Sequence, residues 1–251
     1  MIRQFVAAVS FLTRLPVACR IAFSAEDIGR AARWFPVVGG LLGVIYVLAL
    51  HALSPLFPAT VVAVLIVMIE ALLTGALHMD GLADMADGFG GGRTREDVLR
   101  IMRDHAIGAY GAIALILLVL LKVVSIAALS ERHRAEPYLV IAPMLGRWST
   151  VMLNNILPYA RRSEQEGTRP GGCVSDFVGR TELFVATLTA LVITGALAWR
   201  GGMACWLAVI GVSALTGRLC LRRIGGITGD TLGANTEFCE VGVLLVALAL
   251  S

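Results

Sequence analysis

Seven stretches of this chain are long and apolar enough to be read as membrane-crossing helices, and that constrains the fold more than any other feature. A bilayer core about 30 Å thick takes roughly 20 apolar residues per helix. The stretches lie near Val37 to Leu53, Ala59 to Met79, Gly108 to Ser130, Tyr138 to Ile156, Leu183 to Trp199, Met203 to Thr216 and Phe238 to Leu250. Composition agrees: of 251 residues 57% are hydrophobic and 16% charged, with a mean hydropathy of +0.81, far above a soluble domain. The expected fold is all-α, a polytopic integral membrane helical bundle with about seven transmembrane helices. A single membrane-embedded domain, 1–251, is expected, with an N-terminal interfacial helix. The start of the chain resembles a signal peptide, but Arg14 interrupts it and Pro16-Val17-Ala18-Cys19 is a poor cleavage site. It reads as an uncleaved helix lying at the interface, with Ile2, Phe5, Val9 and Leu12 on one face.

A net charge of +3, with the basic residues set in loops between apolar runs, gives no footprint for nucleic acid. Cys19, Cys173, Cys205, Cys220 and Cys239 show no metal-ligand spacing and are odd in number, so they read as free thiols. The basic residues also set the orientation, since cytoplasmic loops are enriched in them. Of the 21 Lys and Arg, 16 fall in the N-terminal segment and alternate connections: Arg3, Arg14, Arg20, Arg30 and Arg33, then residues 93–103, then 161–180, then 218–223. Three, Arg132, Arg134 and Arg200, fall in the opposite connections, and Lys122 and Arg147 lie within apolar runs. This places the N-terminus and the longer connections in the cytoplasm, with the motif-bearing segments on that one face.

The clearest chemical signal is His78-Met79-Asp80-Gly81-Leu82-Ala83-Asp84-Met85-Ala86-Asp87-Gly88. If the helix continues here, Asp80, Asp84 and Asp87 share one face. Three carboxylates on a stripe repel, and a hard divalent cation such as Mg²⁺, held together with substrate phosphates, would neutralise them. A solvated helix end is the bland alternative. Gly81, Ala83, Ala86 and Gly88 leave room for a neighbouring helix or a bulky ligand. Gly90-Gly91-Gly92-Arg93 lacks the pattern of a phosphate-binding loop and reads equally as a turn. From Arg93 to Gly111, Asp97, Arg100 and Asp104 would share a helical face, where Asp104 is a further metal-ligand candidate and Arg100 or Arg103 a phosphate contact. An amphipathic surface helix with paired charges is equally open.

Glu70, Lys122 and Arg147 lie inside apolar runs, where a charge must be paired or face a polar cavity. For Lys122 and Arg147 a substrate pocket is the favoured reading over a structural ion pair; Glu70 has no evident partner. Residues Gly225 to Glu237 carry four glycines in nine residues, with Thr228 and Asp230 among them. They suit a loop that approaches a ligand closely, and Asp230 with Glu237 would form a second acidic wall of one site. The loop from Tyr159 to Arg180, with Arg161, Arg162, Arg169, Gly171 and Gly172, would cap the site or meet anionic lipid.

Taken together, Phe11-Leu12-Thr13-Arg14-Leu15-Pro16, His78 to Gly88, Arg103-Asp104 with Ile107-Gly108, and Gly225 to Ala234 with Glu237 resemble the cobalamin synthase, or adenosylcobinamide-GDP ribazoletransferase, family. The resemblance runs in order over nearly the whole chain. It implies a Mg²⁺-dependent phosphotransferase of the prokaryotic cytoplasmic (inner) membrane that joins adenosylcobinamide-GDP to α-ribazole or its 5′-phosphate. GMP would be released, completing cobalamin biosynthesis. On this resemblance Asp80, Asp84, Asp87 and Asp104 are metal-site candidates, and Asp84, Asp87 and Asp104 catalytic ones, with the general base open between Asp87 and Asp104. Arg14, Arg103, Lys122, Arg147, Thr228, Asp230 and Glu237 are the substrate-binding candidates. Met85 and Ala106 depart from the family's usual Thr and polar residue, touching secondary contacts only. Homo-oligomerisation through GxxxG-like small residues is a further expectation. Two alternatives stand beside this. A CDP-alcohol phosphotransferase would need DxxDGxxAR, matched only through Asp84, Asp87 and Gly88, with Gly91 and Gly92 where Ala-Arg belongs. An ion-coupled secondary transporter would favour internal repeats and midplane acids, which the chain does not display.

Overall fold

The structure, a computed structural model, describes residues 1–17, 21–161 and 174–251. Cys19, Arg20, Arg162, Arg169, Gly171, Gly172 and Cys173 lie outside the described residues, while Cys205, Cys220 and Cys239 are buried free thiols. Eleven α-helices form the described chain: α1 (Ile2–Leu12), α2 (Ala25–Ala31), α3 (Phe35–Leu53), α4 (Ala59–Thr74), α5 (Leu77–Gly91), α6 (Arg95–Ile101), α7 (Ala109–Glu131), α8 (Ala135–Ile156), α9 (Arg180–Leu197), α10 (Trp199–Ile224) and α11 (Gly229–Ala249). Short 3₁₀ turns follow α2 and precede α9, and an isolated bridge joins Tyr159 to Ile227.

Each of the seven apolar runs lies on helix, though not all seven meet the length and hydropathy of a span. Five helices are long and apolar enough, 25–53 through α2 and α3, then α7, α9, α10 from Gly201, and α11; a sixth arises if α4 and α5 form one broken span. The physical reasons differ for the two that fall away. α4 has 16 residues, and the chain turns 91° before α5. α8 is long enough at 22 residues but carries Arg147, Asn154 and Asn155. It packs against α3, α9, α10 and α11, and a helix walled in by protein needs no apolar surface for lipid.

Close approach of α3 to α8 rests on a GxxxG pair. A Cβ on Gly39 would stand 2.8 Å from the Met144 Cα, and one on Gly43 would stand 2.5 Å from the Leu139 oxygen. Pro143 has no N–H for that Leu139 carbonyl, so the close face of α3 meets the point where the α8 ladder is interrupted. Gly39 and Gly43 are therefore used in packing inside the chain.

The turn between α4 and α5 is built from two left-handed residues, Gly75 (φ 64°) and Ala76 (φ 56°). The Ala76 N–H donates to the Ala71 carbonyl (2.8 Å), closing the end of α4. Arg14 braces this corner: its N–H donates to Leu73 O at 2.7 Å, and its side chain covers Gly75. The short N-terminal helix α1 buries Ala7, Ala8, Val9 and Leu12. Of the apolar face, Ile2 is 83% exposed, and Phe5 meets Trp34 edge-on.

Two other expectations change. Residues 225–237 are loop only as far as Thr228, because the Thr228 hydroxyl accepts from the Thr231 N–H (3.2 Å) and starts α11 at Gly229. The helix after Gly92 ends at Ile101, so Asp104 does not share a helical face with Asp97 and Arg100 but sits in the exposed turn beyond. Asp97 serves α6 itself; the Thr94 hydroxyl and then the Arg100 guanidinium hold its carboxyl below the usual range.

Side-chain ties gather the motif-bearing segments at one end of the bundle. Arg95 donates to Ile224 O (2.9 Å) and Ala160 O (2.6 Å), joining α6 to the ends of α10 and α8. Arg223 donates to Phe89 O (2.7 Å) and Gly92 O (2.8 Å), closing the glycine-rich end of α5. At the other end Arg132 reaches Ser251 (2.6 Å). The Gly43→Val variant tests the α3–α8 contact. Overpacking there is expected to lower stability by about 1–3 kcal/mol, read as a fall in melting temperature in detergent, whereas Gly40→Ala, whose Cβ meets nothing within 4 Å, should leave it unchanged.

Candidate active site

α5 places Asp80, Asp84 and Asp87 one and two turns apart, as the spacing predicts for a helix that continues. The acids meet a fourth from α11. Gly81 makes this possible: a Cβ there would lie 2.7 Å from Asp230 O and 3.0 Å from its Cα. Gly233 does the same one turn further along, with the His78 Cα 3.2 Å from where its Cβ would be. Asp84 therefore lies in the field of Asp230, Asp80 and Asp87, with Arg161 as the compensating cation.

Arg161 was grouped in the sequence with the basic residues of a capping loop, and its place is more specific. Its guanidinium stands 3.2 Å from Asp230 Oδ2 and is 13% exposed. Backbone bonds from Ala160 N to Ile227 O (2.8 Å) and from Ile227 N to Pro158 O (2.9 Å) fix the segment that carries it. Nη2 of Arg161 faces Asp230 in that ion pair, while Nε is buried and makes no hydrogen bond among the described residues, which leaves a donor available beside the acids. No spacing motif announces this residue; only the pairing of 158–160 with 226–227 brings it in.

The other predicted residues divide. Thr228 is buried, and its hydroxyl lies 3.3 Å from Asp230 Oδ2. Asp87 accepts from Gly108 N (2.7 Å) and Gly111 N (2.8 Å), so its carboxylate also caps α7. Asp104 accepts from Ala106 N (3.1 Å) in the exposed turn, beside Arg103. Arg14 is at the α4–α5 corner rather than among the acids.

Lys122, Arg147 and Glu237, expected to face substrate, belong instead to a second, fully buried centre. The Lys122 ammonium lies 2.7 Å from each of Glu70, Glu237 and Glu240, and Arg147 Nη1 lies 2.7 Å from Glu240. Glu70 thus has its partner, from α7. The oxygens of Glu70, Glu237 and Glu240 lie within 4.8 Å of one another, the one such group among the described residues and a spacing that could hold a metal ion. Lys122 already brings three N–H donors to those three carboxylates. Asp230 and Glu237, seven residues apart on α11, are about 10 Å apart along its axis and serve different centres. Adjacent sequence acids do not form one wall.

Structure and site together define a polytopic membrane protein with a carboxylate centre and one guanidinium at the end of a helical bundle. The chain belongs to the cobalamin-5-phosphate synthase family, whose model matches residues 4–248. It is 42% identical to an adenosylcobinamide-GDP ribazoletransferase of Ralstonia nicotianae over 98% of this chain and 95% of that protein. It is 36% identical to one of Vibrio cholerae, covering 98% and 93%, and 38% identical to one of Shewanella amazonensis, covering 98% and 95%. No solved structure matches it. The family agrees with the motif resemblance and not with the CDP-alcohol or transporter alternatives.

The buried centre predicts a specific pattern of losses. Removing the cation by Lys122→Met leaves buried carboxylates uncompensated and is expected to destabilise by about 3–5 kcal/mol. The double variant Lys122→Met with Glu237→Gln should recover part of that. Thermal unfolding in detergent measures both, and a double variant no better than the single one would contradict the pairing.

Proposed function

We propose that this protein is a Mg²⁺-dependent adenosylcobinamide-GDP ribazoletransferase of the prokaryotic cytoplasmic membrane, with its acidic centre on the cytoplasmic face. The observation that carries the reading is the convergence of Asp80, Asp84, Asp87 and Asp230 with Arg161, in a chain whose relatives bear that name. The 16 to 3 bias of basic residues supports the orientation.

The reaction needs an α-ribazole hydroxyl, or that of its 5′-phosphate, to attack the corrinoid-linked phosphorus of adenosylcobinamide-GDP. A new P–O bond forms, the pyrophosphate P–O bond breaks, and GMP leaves. The residues fit a hard cation: several carboxylates face one another with a single arginine between them, and they do not close a cage of their own, which suits an ion that also takes substrate phosphate oxygens. Asp80 and Asp230 would hold Mg²⁺, which when bound would neutralise the pyrophosphate. Asp84, crowded by the other three carboxylates, takes the proton of the attacking hydroxyl on its carboxylate oxygen. Arg161, paired with Asp230 through Nη2, turns its remaining N–H groups to the phosphate. Asp87 holds the start of α7 and so the shape of this end of the bundle.

In lipid nanodiscs with both substrates, GMP release and cobalamin formation should require Mg²⁺ and stop on its chelation. Asp84→Asn is expected to lower kcat by about 10²-fold or more, and Arg161→Gln to lower kcat/KM for the corrinoid while Arg161→Lys restores only part. Metal-independent turnover, or full activity in Asp84→Asn, would overturn the assignment of the site.

A further inference from the structure

One cavity, about 560 Å³ in volume, opens beside the acidic centre, and the reaction described above uses only its edge. This volume is in the range of about 300–1,000 Å³ that encloses a single small molecule. The cavity is two-sided. Phe11, Ile28, Phe35, Val174 and Val178 make an apolar wall, while Asp80 and Asp230 stand at its polar side. Phe11 and Phe35 stack on each other within this wall, nearly parallel at 11° with ring centroids 5.8 Å apart. Polar groups on the remaining wall are held in place: Ser175 donates to Asn154 Oδ1 (2.9 Å) and Asn154 Nδ2 donates to Thr150 O (3.2 Å). Gly29 lets the Val174–Phe177 turn close over α2, where a Cβ would stand 2.7 Å from Val174 O.

We infer that this cavity is the seat of the nucleoside acceptor, with its flat, apolar fused-ring base on the Phe11 and Phe35 side and its ribose hydroxyls turned to the acidic side that Asp80 and Asp230 mark, toward Asp84. The inference rests on the transferase reading, which requires an incoming hydroxyl next to the phosphorus. Size and polarity select the occupant. A corrin macrocycle with its nucleotide tail is too large for this space, and its many amides would lack partners on the apolar wall. An acyl chain would leave Asp80 and Asp230 facing hydrocarbon. A nucleoside with an apolar base satisfies both sides, because ribose hydroxyls donate to carboxylates and the base covers the aromatic wall.

The test fills the cavity from α2, at two partly exposed lining positions, with Ala25→Phe and Ile28→Trp in nanodiscs. The nucleoside KM is expected to rise about tenfold or more, with the KM for adenosylcobinamide-GDP and the melting temperature unchanged. Relative to native protein, both variants should also shift preference toward a nucleoside whose benzimidazole lacks its methyl groups. If the corrinoid KM rises in step, or neither KM moves, the cavity serves the corrinoid or lipid and the inference is overturned. Failure of the transferase reading looks different: native protein then releases no GMP with Mg²⁺ present. Calorimetry with α-ribazole and native protein then decides, binding that weakens in both variants supporting the cavity and no binding overturning it.

Discussion

The fold hangs on one ammonium group. Lys122 of α7 meets Glu70 of α4 and Glu237 and Glu240 of α11, each at 2.7 Å, and Glu240 passes the connection on to Arg147 of α8. Four helices are thereby tied at one level of the bundle. Within a bilayer there is little hydrophobic drive to hold one helix against another, so packing and polar contacts decide which helices meet. Each charge here is expensive alone and acceptable only in this arrangement. The same requirement fixes rotation, because turning α7 or α11 about its axis would leave a charge facing lipid. Three carboxylates against two cations leave one negative charge over.

With α11 fixed in this way, its first turn can be brought against α5. Glycine supplies the clearance, at Gly81 on one helix and Gly233 on the other, so backbones rather than side chains set the distance between Asp230 and the α5 acids. The acidic centre then sits at the end of the bundle, where α5 has turned 91° from α4. The buried centre ties helices together at depth, and the terminal one is the proposed reactive centre. α11 carries residues of both, and their separation of seven positions keeps them from competing for the same cations.

Much of the candidate site is legible in the linear order of residues. Asp80, Asp84 and Asp87 are spaced for one helical face, and the intervening small residues announce a close neighbour. The roles of Lys122, Arg147 and Glu237 are not legible in the same way. A charge inside an apolar run signals only that it must be satisfied, by substrate or by another side chain, and the deciding partner is 52 residues away for Lys122 and Glu70 and 93 for Arg147 and Glu240. Residues 225–237 misled for a related reason. Glycines and hydroxyls read as loop, yet Thr228 caps a helix and Gly233 is there for contact with α5. Composition alone does not fix the number of spans where surroundings override it, at α8, which other helices enclose, and at Gly75 and Ala76, where two left-handed residues end α4.

Local and periodic properties could be read directly, because the bilayer requires helices of a given length and helical geometry requires the acids of α5 to share a face. The all-α membrane architecture, the acidic stripe and the family belong to that category. Partnership was decided only by the tertiary structure: which carboxylates surround Lys122, that Asp230 joins the α5 acids, that Arg161 stands beside them, and that an apolar cavity opens at their edge. Those outcomes depend on distances between helices far apart in the chain, and such distances are set by packing at glycines and by charges that cannot be left unpaired, neither of which any single segment specifies.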